Sequence, residues 1–215
     1  MTARCPSNRL LAILAFGTLS LGCLQKGAET KSEEVAVTET NGRGAMSEGT
    51  GVAIIAGGCF WGMEDLLRKI DGVRETEVGY CGGRNENATY ENHPGHAEAV
   101  RVVFDPAIIS FEKLLVDWFF RMHDPTTVDR QGNDRGSSYR STIFYFDEKQ
   151  KRVAERAIAA VSKSGKWSAP IVTTVEPVKN WTVAEGYHQD YLQKNRGGYT
   201  CHWLRPWDAG TTNDR

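Results

Sequence analysis

Cys59 stands in Gly57-Gly58-Cys59-Phe60-Trp61-Gly62, directly after the apolar, β-branched run VAIIAGG over 52–58. A cysteine where a strand ends and a helix begins meets free backbone N–H groups and the positive end of the helix dipole. Both favour a thiolate, so this spacing predicts a depressed pKa and a nucleophilic sulfur. The glycines let a substrate approach the backbone closely. Two aromatics after the nucleophile would form an apolar wall beside it. The plainer alternative is a small buried thiol on the aromatic side of a helix. Of five cysteines, Cys5 and Cys23 lie in an N-terminal leader, which leaves Cys59, Cys81 and Cys201 for chemistry. His93 and His96 are three apart and Cys201 adjoins His202, but there is no C-x-x-C pair, so no metal site is expected. Cys59 with His96 could instead form the nucleophile–base pair of a cysteine hydrolase.

These residues need a scaffold, and the periodicity supplies one. Phe60, Met63, Leu66, Leu67 and Ile70 recur at helical spacing, with Gly72 as the C-cap. VRETEVGYCGG and AEAVRVVFDP read as strands, the second alternating cleanly until Pro106. Ser110 can cap a helix over FEKLLVDWFFRMH. STIFYF and IVTTVEPV read as strands, DEKQKRVAERAIAAVSKSG as a helix between them, and VAEGYHQDYLQKN as a last short helix. The order β-α-β-β-α-β-α-β predicts an α+β fold: a two-layer sandwich, a mixed sheet with helices on one face and a ferredoxin-like core.

The chain has 215 residues, 40% hydrophobic and 25% charged, with a net charge of −1. That composition excludes wholesale disorder and gives no electrostatic footprint for nucleic acid. Residues 52–207 read as one folded domain, with 208–215 as a tail. Ahead of it, Arg4 and Arg9 precede an apolar run from Leu10 to Leu21 that ends in small residues. Residues 1–22 thus have the form of a secretory signal peptide. LSLGC resembles the lipobox of bacterial lipoproteins, with Cys23 the lipid attachment site and Ser20 where a Leu-type residue is usual. Residues 23–51, polar and without aromatics, read as a flexible linker. An exported protein of the cell envelope or periplasm is expected, monomeric, with a possible lipid anchor to the membrane.

GCFWGMED, GHAEAV, QGNDRGSSYRS and YHQDYLQKN, in this order from Val52 to about Trp203, closely resemble the A-type peptide methionine sulfoxide reductases. Four separated motifs that coincide make the resemblance specific. It implies a thiol-dependent reductase for the S epimer of methionine sulfoxide, free or in proteins, and hence protein repair. It maps the nucleophile to Cys59 and the acid that protonates the oxide oxygen to Glu98. It maps oxygen-binding phenols to Tyr90 and Tyr139, an assisting carboxylate to Asp134, and the methyl-binding pocket to Phe60 and Trp61. The resolving cysteine maps to Cys201 in the glycine-preceded segment GGYTCHW, where chain mobility would provide reach. Cys81 in GYCGG is the rival resolver, read as a buried thiol. Electrons would come from thioredoxin or an equivalent dithiol, with no metal or organic cofactor. One departure is the short loop from Tyr90 to His96, where many members carry a longer loop with another cysteine. A non-enzymatic alternative is a surface-anchored binding module whose contacts are Trp61, Trp181, Trp203 and Trp207.

Overall fold

A computed structural model describes residues 49–207. The expected leader over 1–22, the lipid site Cys23 and the 208–215 tail lie outside the described residues, as does all but the end of the 23–51 linker. The chain runs through β1 (Gly51–Gly57), α1 (Phe60–Leu67), β2 (Val73–Cys81) and β3 (Ala97–Phe104). A helix follows as α2 (Phe111–Lys113), a π-helical stretch (Leu114–Phe119) and α3 (Phe120–Met122). Then come the hairpin strands β4 (Arg130–Gln131) and β5 (Asp134–Arg135), β6 (Ser141–Tyr145), α4 (Glu148–Lys163), β7 (Thr174–Pro177), β8 (Thr182–Val183) and α5 (Tyr191–Lys194).

The main sheet has the order β7-β6-β1-β3-β2-β8. Its pairs are antiparallel except β6 with β7. The central order β6-β1-β3-β2, with helices after β1 and β3, is the ferredoxin-like arrangement expected from the element order. Alternation along the strands decides the faces. Ala53, Ile55, Val78, Tyr80, Val100, Val102 and Phe104 pack with Phe60, Met63 and Leu67 of α1 and with Leu115, Phe119 and Phe120. Ile54, Ala56, Cys81, Ala97, Ala99 and Phe144 face the other way, against Val178 and Trp181. The helices therefore share one face of the sheet, and a loop covers part of the other.

The two N-capping signals hold. Ser110 accepts from the Lys113 N–H at 3.2 Å and Asp147 from the Gln150 N–H at 2.8 Å. Two expectations are corrected. The first helix stops at Leu67, short of Gly72, whose φ of +92° lets the chain turn into β2. The last helix is confined to Tyr191–Lys194, because Asp190 adopts a left-handed φ of +55°. Ahead of it Gln189 stands in for a strand: its amide accepts from the Val78 N–H at 2.9 Å and donates to the Val78 carbonyl at 2.8 Å.

Candidate active site

β1 ends in Gly57 and Gly58, and Cys59 is the N-cap of α1. Gly58 has φ +104°, and a Cβ there would lie 2.4 Å from Cγ of Gln131, so both conformation and space require glycine. The turn leaves Cys59 only 6% exposed. Burial, followed by the nearby Glu98 carboxylate, pushes the Cys59 thiol well above its ordinary pKa, while the Trp61 N–H works the other way. This corrects the expectation of a depressed pKa. The helix N-terminus is present, but desolvation outweighs it.

Glu98 is the second residue of β3 and points to the helix face, in step with Val100 and Val102. Its Oε2 accepts the Phe60 N–H at 3.1 Å, so the carboxyl lies across the first turn of α1 beside Cys59. Burial raises its pKa to about 8; the Phe60 N–H opposes the shift and the charge of Asp134 adds to it. The group is therefore largely protonated at neutral pH. Tyr139 is half-buried and Tyr90 is 45% exposed, and burial raises both phenols. Glu98, Cys59 and Asp134 also act on both phenols, which places all five groups in one electrostatic neighbourhood. His93 ties the Tyr90 loop to the Tyr139 turn through its Nε2, 3.0 Å from the Ser138 hydroxyl.

Phe60 is 1% exposed and packs against Tyr80 and His188, with ring centroids 5.8 Å and 5.1 Å away. Trp61 remains half-buried, stacked on Tyr191 at 3.7 Å. Its Nε1–H donates to Nδ1 of the buried His188 at 3.0 Å. Glu185 binds the surroundings together: its carboxylate accepts from the Tyr80 hydroxyl and the Tyr90 N–H, both at 2.9 Å. Sequence reasoning assigns no role to His188 or Glu185. The signal is present in VAEGYHQDYLQKN, whose pattern reads as a helix but whose first half folds as a polar loop under the aromatic site.

The segment bearing Cys201 is already docked, which corrects the expectation that mobility supplies its reach. The Cys201 carbonyl accepts from the Gln131 amide at 3.3 Å. The Arg205 N–H donates to the Arg121 carbonyl at 3.0 Å, and the Arg205 guanidinium bonds the carbonyls of Arg121 and His123. That guanidinium also lies between the Trp167 and Trp203 rings. Gly132, at φ +57°, is the corner of the β4–β5 hairpin, and a Cβ there would come 2.9 Å from Cβ of Cys201. Cys201 Sγ lies 3.4 Å from Oδ2 of Asp134, which also accepts from the Tyr199 hydroxyl at 3.2 Å. Burial and Asp134 push the Cys201 thiol up to about 12, whereas Tyr199 and the backbone N–H of Cys59 favour its thiolate. The two cysteines also act on each other's ionisation, which puts Cys59 and Cys201 in one electrostatic neighbourhood.

Cys81 belongs to the opposite face of the sheet, fully buried, with Sγ 3.6 Å from the Lys179 carbonyl. His96 Nε2 is 2.9 Å from the Asn85 carbonyl, a bond within the loop ahead of β3, so this ring nitrogen is not directed to Cys59 as a hydrolase base requires. Among the described residues no three His, Cys, Asp or Glu side chains converge as metal ligands would. Clefts of about 580 Å³ and 770 Å³ are lined by other residues, such as Arg74 and Thr76 or Lys113 and Trp118. Convergent chemistry, not cavity size, marks the site.

A family model described as peptide methionine sulfoxide reductase matches residues 51–212. The chain is 58% identical over 154 residues to the peptide methionine sulfoxide reductase MsrA of Mycobacterium tuberculosis, covering 72% of this chain and 84% of that protein. Among solved structures it is similar to Mxr1 from Saccharomyces cerevisiae in reduced form. There the TM-score is 0.68 and the identity 36%, over 73% of this chain and 93% of that one. It also matches Mxr1 in complex with Trx2, with a TM-score of 0.52 and 28% identity over 73% of this chain and 91% of that one. The chain belongs to the peptide methionine sulfoxide reductase family, in its A type.

Proposed function

We propose that the protein reduces the S epimer of methionine sulfoxide to methionine at Cys59, with Cys201 as the resolving thiol, and so repairs oxidised proteins. Reduction of methionine sulfoxide is the activity of the family. Cysteine hydrolysis has no support from the relatives. The observation that carries the assignment of roles is the pairing at the start of α1. The Phe60 amide holds the Glu98 carboxyl beside Cys59, and Cys59 and Cys201 each shift the other's ionisation.

In this reading the sulfoxide oxygen meets a protonated Glu98 and the phenols of Tyr90 and Tyr139, which stay protonated and can donate. Proton donation draws electrons from the substrate sulfur as the Cys59 sulfur attacks it. Because burial keeps Cys59 a thiol at rest, attack and protonation have to be coupled. The thiol proton replaces the one Glu98 spends. The protonated oxygen then passes to the Cys59 sulfur as the substrate S–O bond and the transient S–S bond break; methionine leaves, and Cys59 holds a sulfenic acid, its sulfur oxidised by two electrons. Cys201 then attacks that sulfur, water leaves, and a Cys59–Cys201 disulfide remains for a dithiol to reduce. Phe60 and Trp61 bound the methyl group, with His188 fixing the indole.

Mxr1 in complex with Trx2 supports a thioredoxin-like dithiol as the reductant here. The basic start, the short apolar run and LSLGC support export, with Cys23 as a lipid anchor and the polar 23–51 segment as its tether. The protein would then act as a monomer in the cell envelope, on oxidised proteins there. An assay with separated epimers of a methionine sulfoxide peptide tests the reading. Reduction of the S epimer alone, abolished in Cys59→Ser, is expected; equal rates on both epimers contradict it.

A further inference from the structure

His202 is adjacent in sequence to Cys201, and the reaction as described leaves it unused. It is 7% exposed, and its Nε2 lies 2.8 Å from the carbonyl oxygen of Gly57 at the end of β1. A carbonyl oxygen only accepts, so Nε2 carries the hydrogen of the neutral ring. Nδ1 is then the lone-pair nitrogen, and it lies 3.5 Å from Sγ of Cys201. The ring's place is built into the fold. A Cβ on Gly62 would come within 2.6 Å of Nδ1, and one on Gly58 within 3.2 Å of Nε2. The His202 amide also donates to the Thr200 hydroxyl at 3.1 Å, which fixes the backbone on which the ring is mounted.

The Cys201 sulfur thus has two kinds of neighbour. The Cys59 backbone and Tyr199 favour a thiolate there. His202 Nδ1 and Asp134 Oδ2 can accept the thiol proton. Asp134 Oδ2 also accepts from the Tyr199 hydroxyl, and a carboxylate oxygen so hydrogen-bonded holds a proton less well. From these contacts we infer that His202 Nδ1 is the proton acceptor for the Cys201 thiol in the step that closes the disulfide. The inference rests on the reading of Cys201 as the resolving thiol.

In that step the Cys201 S–H bond breaks and its proton passes to Nδ1, while the Cys201 sulfur bonds to the Cys59 sulfur. The S–O bond of the sulfenic acid breaks in the same event, and its hydroxyl leaves as water with a proton from Glu98. His202 afterwards gives up its proton and Glu98 regains one, so the sum is a sulfenic acid plus a thiol giving a disulfide plus water. The groups facing the ring are Cys201, Asp134, Arg205 and His123. Burial lowers the ring's pKa to about 4, with Asp134 opposing and Arg205 assisting. Nδ1 is therefore open to accept across the neutral range.

The test is a single turnover without reductant on a peptide carrying (S)-methionine sulfoxide, comparing wild type with His202→Gln, His202→Asn and Asp134→Asn. Quenched samples are scored separately for methionine and for the Cys59–Cys201 disulfide. Gln can keep the bond to Gly57 but lacks the Nδ1 acceptor; Asn places an amide oxygen near Nδ1. In His202→Gln, methionine formation is expected within about threefold of wild type, while disulfide closure slows by about tenfold or more. Sulfenic acid at Cys59 then becomes trappable by dimedone. Closure in this variant should rise with pH between about 6 and 9, because hydroxide must replace the lost base, and Asn, whose amide oxygen accepts a hydrogen bond but not a proton, should close as slowly as Gln. Closure at the wild-type rate and pH dependence in both His202 variants, or slowing confined to Asp134→Asn, overturns the inference. If Gln fails to fold, His202→Ala takes its place, and closure at the wild-type rate in both Ala and Asn overturns the inference equally. Failure of wild type to form the Cys59–Cys201 bond would instead remove the underlying reading.

Discussion

Gln131 and Cys201, 70 residues apart, are joined by a hydrogen bond from the Gln131 amide to the Cys201 carbonyl at 3.3 Å. The other end of the same side chain accepts the Asp124 N–H at 2.9 Å, and its Cγ lies under Gly58. One buried glutamine therefore connects the turn that presents Cys59, the hairpin that presents Asp134 and the segment that presents Cys201.

Gln131→Ala should loosen that connection. Loss of two partly buried hydrogen bonds costs about 1–3 kcal/mol of stability, read as a lower denaturation midpoint. Disulfide closure should slow more than methionine formation, because Gln131 bonds the Cys201 carbonyl directly but meets the β1–α1 turn only through its packing under Gly58. Equal slowing of both steps would show that Gln131 acts on the nucleophile instead.

Cys201→Ser separates the two half-reactions. In stopped assays without reductant it should still release methionine once per molecule and leave Cys59 as a sulfenic acid. Steady-state turnover with thioredoxin should fall by about 100-fold or more, because the mixed-disulfide route has lost its internal thiol. Undiminished turnover with thioredoxin would point to another resolver, and Cys81 would be the thiol to examine.

Glu98→Gln removes the acid while keeping the shape. Methionine formation should drop by about 100-fold to 10,000-fold. Its stability effect has a definite sign. The folded pKa of about 8 lies above the ordinary 4.5, so the native state holds this proton more tightly than the unfolded chain. Wild-type stability from this group is complete below about pH 4.5 and is lost as pH rises through about 8. The Gln variant should therefore gain on wild type over that window, as thermal melts at pH 5 and pH 9 would record. Methionine formation by wild type should itself decline above about pH 8, as Glu98 loses its proton.

Gly58→Ala forces a Cβ onto the Gln131 side chain at a φ of +104°. A cost of about 1–3 kcal/mol is expected from the backbone conformation alone. Chemical denaturation should show the loss, with sulfoxide reduction falling alongside because Cys59 and Gln131 move together.

Much of this is legible in the sequence because the signals are local. The β1–α1 turn follows from VAIIAGG and a helix-period run, and the ferredoxin-like order follows from element types. Glu98 falls on the helix face through strand alternation once β3 is recognised. The long-range parts are not legible. Nothing in the spacing of Cys201 shows that Gln131, Arg205 and His202 pin its segment. The same holds for His188, whose partner Trp61 is 127 residues away. The Cys59 pKa escapes sequence reasoning for a related reason: the helix N-terminus is a sequence feature, whereas burial to 6% exposure is a property of the assembled fold.

The central claim, that sulfoxide reduction and disulfide formation occur between Cys59 and Cys201, is tested most directly by peptide mapping. The reduced protein is treated with a slight excess of a peptide containing (S)-methionine sulfoxide, without reductant, and digested under non-reducing conditions. A Cys59–Cys201 disulfide formed in step with methionine is the expected result. A protein whose thiols remain reduced, or whose first disulfide joins Cys59 to Cys81, would contradict it.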